Sequence, residues 1–385
     1  MLKDIAPLFT DEFNGTYNYR GIDIESKPIT YMRDNPQQKG SGLTKEGQKM
    51  DYSEIEDNDN DFTSEEVKYH TRQKHKFIEC YLNIWTENVD SEENRQNKRV
   101  PSLDIIDLYA ASGLVTCDDA KEYHAGDYQW PGSALLAAQC LENYSFPGKL
   151  LLNSYHKNPE KCRRQYDALN TNIEKFRKIR NKIEITSQTI EPAAEWALRQ
   201  INPKYPNIWI LDPYAVSELP WSVVEKIGTN WGQYKSKGKN IVRKPELIIT
   251  FMTPDLQRNI TKNPHIISDA IGISESEWLP PYLEKINRGE KINARQYILD
   301  LYAQKLSAMY EKPPIIAEIK STGQTNIVYC MLFLTDNNAG HYMMKLHGLK
   351  ELEQWKIYQW NHDAKIITTK KNNDKIGQKD LSEWF

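Results

Sequence analysis

The sequence predicts an α/β protein with a doubly wound, mostly parallel sheet, a terminal antiparallel hairpin and an inserted helical subdomain. Five short apolar segments rich in Ile and Leu alternate with segments of helical period. Such alternation indicates parallel strands joined by helical crossovers. Two later strand-like segments flank a short connection that contains Gly323, which predicts a hairpin. Between these regions, residues 254–311 have helical character throughout.

Composition and charge limit the classes of protein to which the chain can belong. Of its 385 residues, 39% are apolar and 27% are charged, and the formal net charge is −3. These values fit a globular protein with many solvated loops and give no overall preference for nucleic acid. No run approaches the roughly 20 apolar residues that span a bilayer, and the first residues lack a targeting pattern. We therefore expect a cytoplasmic protein without membrane contact.

The N-terminal segment 1–66 shows no sustained hydrophobic period, and residues 51–66 contain eight acids and no base. This composition predicts an acidic, largely disordered leader. The first helix is predicted to start near Lys68, because apolar residues recur there at helical spacing. These residues are Phe77, Cys80, Tyr81 and Ile84.

The first part of the predicted core, 67–253, alternates strands and helices. Its strands are continuous apolar runs, which indicates that both faces of the sheet are buried. The predicted strands are 103–109, 149–153, 182–187, 207–212 and 246–252. The predicted helices lie in the sequences GSALLAAQCLENY, PEKCRRQYDALNTNIEKFRKI, IEPAAEWALRQI and PWSVVEKIG.

The remainder of the chain divides into four predicted segments. A helical insertion over 254–311 has its strongest amphipathic run in ARQYILDLYAQKLSAMY. The core resumes over 312–362 with the two strands of the hairpin, PIIAEIKST and NIVYCMLFLTD, and a last helix. A flexible linker is expected over 363–377, and a separate tail over 378–385.

A candidate ligand site follows the first strand of the core, in the sequence IDLYAASG. In parallel sheets, ligands bind outside the carboxyl ends of the strands, and small residues let the backbone approach a ligand closely. The residues concerned are Asp107, Ala111 and Gly113. Alternatively, the small residues serve packing alone. Five parallel strands followed by an antiparallel hairpin resemble the Rossmann-like fold of S-adenosylmethionine-dependent methyltransferases, and this resemblance implies that cofactor at these residues.

The same resemblance assigns roles to residues after two further strands. Methyltransferases of this fold bind the ribose hydroxyls with an acid after the second strand; the corresponding residue here is His156, a weaker partner for ribose. After the fourth strand, Asp212, Pro213 and Tyr214 resemble the Asp-Pro-Pro-Tyr motif of amino-methyltransferases. In that motif the acid and a backbone carbonyl bind a base amine, and the ring stacks on the flipped base. Alternatively, Asp212 caps the next helix or turn and Tyr214 packs internally.

Several segments, read in order, resemble the successive blocks of the three-Cys-motif partner (TcmP) proteins. The blocks are HTRQKHKFIECYL, IDLYAASGLV, WPGSALLAA, HKNPEKCRRQ, LDPYAVSELPWSVVEKI, ELIITFM and YCMLFLTDNNAGHYMM. The similarity covers residues 68–360, and it depends on the order and spacing of the blocks. It implies a methyltransferase-like fold and a partner protein that carries a three-cysteine motif of the radical-SAM, iron-sulfur type.

Two basic segments are candidates for contact with nucleic acid. Lys74 and His75 lie near the start of the first helix, where a basic pair can meet a phosphate. The segment 234–244 contains no acid, and basic side chains can bind phosphates there. Its basic residues are Lys235, Lys237, Lys239, Arg243 and Lys244. The alternatives are a helix-surface or capping histidine and a solvated connection, respectively.

The final residues, QKDLSEWF, contain large apolar side chains that lose stability when exposed to water. Gln378, Leu381, Trp384 and Phe385 follow a spacing that resembles the peptide by which replication and repair proteins bind the sliding clamp PCNA. One helical turn brings the three apolar side chains to one side, as a plug for an apolar pocket. The terminal aromatic pair is similar to that of archaeal clamp clients such as flap endonucleases. Alternatively, these side chains pack on their own domain.

These features leave two functions open. In the first, the methyltransferase-like domain is a non-catalytic module that presents DNA or a radical-SAM repair partner to the clamp. In the second, it is an S-adenosylmethionine-dependent methyltransferase that modifies a nucleic-acid base through Asp107, Gly113 and Asp212. A metal-dependent phosphoesterase is disfavoured, because neither the acids nor the five scattered cysteines form a clustered ligand set, and no metal is expected.

Overall fold

The computed structural model of the chain describes ten stretches of sequence. They are 64–68, 70–89, 102–117, 129–143, 148–236, 239–320, 327–337, 340–341, 356–359 and 367–368. All of them belong to the compact unit Phe62–Phe385.

A nine-stranded sheet forms the centre of the described part of the chain. With all strands numbered in chain order, its members are β2 (Asp104–Asp107), β5 (Leu150–Asn153), β6 (Ile183–Thr186), β7 (Asn207–Leu211), β10 (Glu246–Phe251), β11 (Ile315–Lys320), β12 (Ile327–Leu334), β13 (Lys356–Gln359) and β14 (Ile367–Thr368). Their order across the sheet is β14-β13-β11-β12-β10-β7-β2-β5-β6. The five strands from β10 to β6 are parallel, and the remaining pairings are antiparallel. The predicted parallel strands and the predicted antiparallel pair β11–β12 are therefore confirmed.

Two small sheets accompany the main one. The first has the order β1-β3-β4 and consists of β1 (Glu65–Glu66), β3 (Leu114–Thr116) and β4 (Gln129–Pro131). The second is an antiparallel pair formed by β8 (Gly232–Ser236) and β9 (Lys239–Arg243). This hairpin occupies most of the basic segment 234–244, for which the sequence predicted no strand.

Nine α-helices lie in the described residues. They are α1 (His70–Val89), α2 (Ser133–Asn143), α3 (Pro159–Ile173), α4 (Ile190–Gln200), α5 (Trp221–Gly228), α6 (Thr253–Asn259), α7 (Pro264–Ile271), α8 (Glu275–Asn287) and α9 (Ala294–Ser307). The boundaries of α3 follow from its sequence, since the Asn158 side chain caps the first backbone N–H groups and Pro159 occupies the first turn. None of these helices combines the length and the apolar character that a membrane crossing requires.

Both faces of the four parallel strands β2, β5, β7 and β10 are buried, whereas β6 is only partly buried after Ile183. On β2, Ile105 belongs to a core cluster that also contains residues of α1 and α2. The next residue, Ile106, belongs to a second cluster, with residues of α4, α5 and the helices that follow β10. Successive side chains of a strand point to opposite faces, so both must be apolar when helices cover each side. This accounts for the continuous apolar runs in the sequence.

The four helices within 254–311 agree with the helical character predicted for this stretch. Their buried side chains, such as Leu256 and Trp278, belong to the same core cluster as strands β7 and β10. The Tyr302 ring of α9 stacks on Phe251 at the end of β10, with centroids 4.7 Å apart and planes 10° from parallel. The helices thus share the core of the sheet that they cover.

Three short strands lie in segments for which the sequence predicted other structure. β1 falls at the end of the predicted leader, β13 falls where a last helix was expected, and β14 falls in the predicted linker. β1 pairs with β3, β13 pairs with β11, and β14 pairs with β13. Residues 356–359 are therefore strand, at the end of the core segment 312–362 in which the sequence predicted a last helix without fixing its bounds; backbone hydrogen bonding to an existing sheet edge forms this strand.

Gly148, directly before β5, gives a test of this packing. A Cβ atom at this position would overlap the carbonyl oxygen of Leu103, whereas one at Gly289 would meet nothing within 4 Å. We expect Gly148→Ala to lower the free energy of unfolding by about 2 kcal/mol or more, because the backbone of β2 must shift. Gly289→Ala is the control and costs about 1 kcal/mol, for its left-handed backbone alone. Equal losses in urea denaturation would contradict the close approach.

Candidate functional site

A cleft of about 770 Å³ opens at the edge of the sheet where the parallel strands end. Its walls come from the segments that follow β2, β5, β6 and β7, together with α5 and α7. The residues that line it include Tyr109, Tyr155, His156, Lys157, Glu191, Tyr214, Glu218, Trp221, Glu225 and Asp269. Sequence reasoning identified His156 and Tyr214 among them. It missed the other residues, although Tyr109 and Tyr155 directly follow strand ends, where ligand contacts are expected.

Asp107 lies behind this cleft, fully buried at the end of β2. One carboxylate oxygen accepts a hydrogen bond from the Ser133 hydroxyl at 2.6 Å, and the other accepts one from the Tyr109 backbone N–H at 2.9 Å. Burial raises the pKa of Asp107 to about 6; the two hydrogen bonds oppose this shift, and the charge of nearby Asp212 adds to it. Asp107 therefore fastens the start of α2 to the end of β2.

The turn after β2 is closed by packing. Ala111 and Gly113 both have positive φ values, 47° and 76°, and the Ala111 carbonyl accepts a hydrogen bond from the Ser154 hydroxyl at 2.7 Å. A Cβ atom on Gly113 would lie 2.8 Å from Leu169 and 3.1 Å from Leu135. The glycine is thus required by apolar side chains of α2 and α3. Of the two interpretations that the sequence left open, this geometry favours packing.

Asp212 forms an ion pair with Lys74 of α1, and the two side chains are only 14% and 10% exposed. The Lys74 ammonium also lies 5.6 Å from the centre of the Tyr329 ring. A base amine that reached Asp212 would have to displace this ammonium. In a buried pair, removal of one charge leaves the other without compensation, at a cost of about 3–5 kcal/mol.

His75 is buried beside this pair. Its Nδ1 accepts a hydrogen bond from the Trp130 indole N–H at 2.9 Å. Burial, followed by the charges of Lys74 and Arg72, holds the pKa of His75 well below its ordinary value. The imidazole is therefore neutral, with its proton on Nε2. Phosphate contact was predicted for Lys74 and His75, but both are buried and engaged inside the protein.

His156 and Tyr214 both line the cleft. Tyr214 is 46% exposed, and its backbone N–H donates to the Glu218 carboxylate at 3.0 Å. Pro213, between Asp212 and Tyr214, is buried. His156 Nδ1 accepts the Asn158 backbone N–H at 3.0 Å. The predicted catalytic triplet is therefore divided, with Asp212 in the buried ion pair and Tyr214 at the cleft.

The charge of the cleft is acidic. Glu191, Glu218, Glu225 and Asp269 line it, against one lysine, Lys157. Carboxylates repel the phosphates of a nucleic-acid backbone and favour a neutral or cationic ligand. In the described part of the chain, no group of three or more His, Cys, Asp or Glu side chains is arranged to hold a metal ion.

The basic hairpin β8–β9 lies at the opposite edge of the sheet. It ends directly before β10, which runs parallel to β7 and reaches the cleft edge only at its far end. Six residues of strand span about 20 Å. Lys235 and Lys239 are part of the hairpin, and Lys237 lies outside the described residues.

The last two basic residues of this segment contact the protein itself. Arg243 donates a hydrogen bond to the Lys204 carbonyl at 3.3 Å. Lys244 forms an ion pair with Asp336 at 2.7 Å, so its charge is balanced internally. The tail residues Gln378, Leu381, Trp384 and Phe385 lie outside the described residues.

Comparisons with known proteins add little to this geometry. No protein-family model matches the sequence, and no curated protein matches it. The crystal structure of protein LPL1258 from Legionella pneumophila str. Philadelphia 1, of the family model DUF519, is similar in structure. It shares 12% sequence identity over 76% of this chain and 97% of that chain, with a TM-score of 0.42. A similarity of this size carries no argument about function.

The raised pKa of Asp107 predicts a specific dependence of stability on pH. The folded state binds the carboxyl proton of Asp107 more tightly than the unfolded state does. Burial of the ionised carboxylate therefore lowers the free energy of unfolding only slightly at about pH 4 and most at about pH 7. Asp107→Asn removes that cost. We expect the free energy of unfolding of the variant, minus that of the wild type, to increase by up to about 3 kcal/mol from pH 4 to pH 7. Urea denaturation at both pH values measures this difference.

Asp167→Asn is the matched control, because Asp167 is exposed on α3. This variant should track the wild type at both pH values. If the free energy of unfolding of Asp107→Asn differs from that of the wild type by the same amount at both pH values, Asp107 does not bind a proton between them.

Proposed function

We propose that the protein is a sliding-clamp-associated factor of DNA replication or repair, in which a methyltransferase-like domain acts as a binding module. The strand arrangement carries the domain assignment, since five parallel strands followed by an antiparallel pair match the methyltransferase arrangement. We further propose that the sheet is doubly wound and that the helices of 254–311 form an inserted subdomain. We also propose that the protein is cytoplasmic and that it has a radical-SAM-type partner with a three-cysteine motif.

Three features of the site support a module without catalysis. The Lys74 ammonium is paired with the Asp212 carboxylate, which a base amine would need. Leu135 and Leu169 close around Gly113. The acidic cleft and the basic hairpin lie at opposite edges of the sheet, so phosphates held at the hairpin do not bring a base to the cleft.

An active S-adenosylmethionine-dependent base methyltransferase is the second candidate. One observation favours it: His156 and Tyr214, assigned to cofactor and base by resemblance, line the same cleft. Its acidic walls suit the positive charge on the sulfonium of this cofactor. In this candidate, Lys74 must leave Asp212 when the base enters.

Isothermal titration with S-adenosylmethionine distinguishes the two candidates. For the binding module, we expect no saturable heat at millimolar ligand, because the turn after β2 is filled by protein side chains. Saturable heat that is lost in Tyr214→Ala, but kept when exposed Asp167 is replaced by Asn, would establish the second candidate instead.

The clamp association depends on the tail. Residues 369–377, which separate β14 from the tail, reach at most about 30 Å when extended. The spacing of Gln378, Leu381, Trp384 and Phe385 suits one helical turn that inserts three apolar side chains into a pocket of the clamp. The proposed clamp is the ring PCNA, and the proposed nucleic acid is the DNA that it encircles.

We expect Trp384→Ala combined with Phe385→Ala to abolish binding to PCNA, measured by surface plasmon resonance with the full chain. Buried aromatic anchors provide most of the energy of such contacts. Ser382→Ala combined with Glu383→Ala is the control in the same turn and should bind within a few-fold of the wild type. A Tm lowered by several degrees in the aromatic variant would show that these rings pack on their own domain.

A further inference from the structure

Trp231 is a large aromatic side chain held in place at the surface. It lies between the end of α5 and the start of β8, and it is 46% exposed. Its indole N–H donates a hydrogen bond to the Gly228 carbonyl at 2.6 Å. Gly228 itself packs against Met309, with its Cβ position 3.1 Å from that side chain. The ring is therefore fixed to a packed helix end while almost half of it remains open to solvent.

Lys244 supports the same ring. Its ammonium lies over the Trp231 ring, 5.0 Å from the centroid, and 5.5 Å from the centroid of Tyr310. It also donates a hydrogen bond to the Met309 carbonyl at 2.8 Å and pairs with Asp336. Because these contacts hold its ammonium, Lys244 positions the ring. The loss of side-chain entropy that usually accompanies stacking of a ligand is largely avoided here.

The segment of sequence that follows Trp231 is basic. The sequence from Trp231 to Lys244 contains no acid, and Lys235, Lys239 and Arg243 are part of the hairpin. The hairpin rests on the segment around Pro203, because a Cβ atom at Gly232 would overlap the Pro203 carbonyl. Next to this contact, Lys204 is exposed and adds a further positive charge.

We propose that Trp231 and the β8–β9 hairpin bind single-stranded nucleic acid, with one base stacked on the Trp231 ring and the adjacent phosphates at the hairpin lysines. An exposed ring beside cations is the combination that single-strand binding uses, since every base offers a face for stacking. In a duplex the base faces are already stacked, so an exposed ring gains less. This inference rests on the proposed role at DNA and deepens it by naming the single strand as the ligand.

The full-length chain is titrated with fluorescently labelled dT12, U12 and a DNA duplex of equal length, and fluorescence anisotropy gives Kd for each. We expect Trp231→Ala to raise Kd for dT12 about 5- to 100-fold, the range for loss of one stacked base. Binding of the duplex should change less than two-fold. The two single-stranded probes show whether the surface prefers DNA or RNA.

Two further variants separate stacking from folding and charge. Trp231→Phe keeps an aromatic face without the indole N–H and should bind dT12 within a few-fold of the wild type. Lys235→Gln combined with Lys239→Gln should lower the slope of log Kd against the logarithm of the salt concentration by about 1.4, because two phosphate contacts are lost. Leu283→Ala, which removes an exposed apolar side chain of α8, is the control and should have no effect.

Unchanged dT12 binding in Trp231→Ala would overturn the inference, and so would equal losses for the single strand and the duplex. If Trp231→Ala is partly unfolded, its Tm is lowered. The affinity of Trp231→Phe for dT12 then tests the inference. Clamp binding through the tail is measured on the same proteins. A chain that binds PCNA but no single strand refutes this inference alone, whereas a chain that binds single strands but not PCNA refutes the clamp association alone.

Discussion

The buried ion pair between Lys74 and Asp212 determines what the carboxyl edge of the sheet can do. It connects α1 to the residue after β7, and it places opposite charges close to the buried carboxyl group of Asp107. Ions removed from water need a partner, so each side chain depends on the other. The Asp212 carboxylate is therefore already paired with a side chain of the protein. Any ligand that uses this acid must compete with an ammonium that belongs to the protein.

The acidic and basic surfaces are separated by the sheet and connected by one helix. Trp221, at the start of α5, lines the acidic cleft, and Gly228, at its end, binds the indole of Trp231. Eight helical residues span about 12 Å. Trp221 in the cleft and the ring of Trp231 are therefore held near opposite ends of the same helix.

The fold was largely predictable because its main strands carry a strong local signal. Each of β2, β5, β7 and β10 contains consecutive apolar residues and is buried along its whole length, as expected for strands of a sheet covered on both faces. β1 has no such signal: its two residues are glutamates, held by backbone pairing with β3 and by contacts of Glu65 with Lys161 and Gln165. The β8–β9 hairpin was missed because its lysines and glycine resemble a solvated connection.

The site was less predictable, because its key contacts join residues far apart in sequence. Lys74 and Asp212 are 138 positions apart, and His75 and Trp130 are 55 apart. Local patterns identify the types of residue but not which of them meet. A lysine and a histidine at a helix start therefore suggested a phosphate, whereas in the fold they are buried. In the proposed role at nucleic acid, the charge of the ligand is met instead at the hairpin of the amino edge, beside the open ring of Trp231 and away from the acidic cleft.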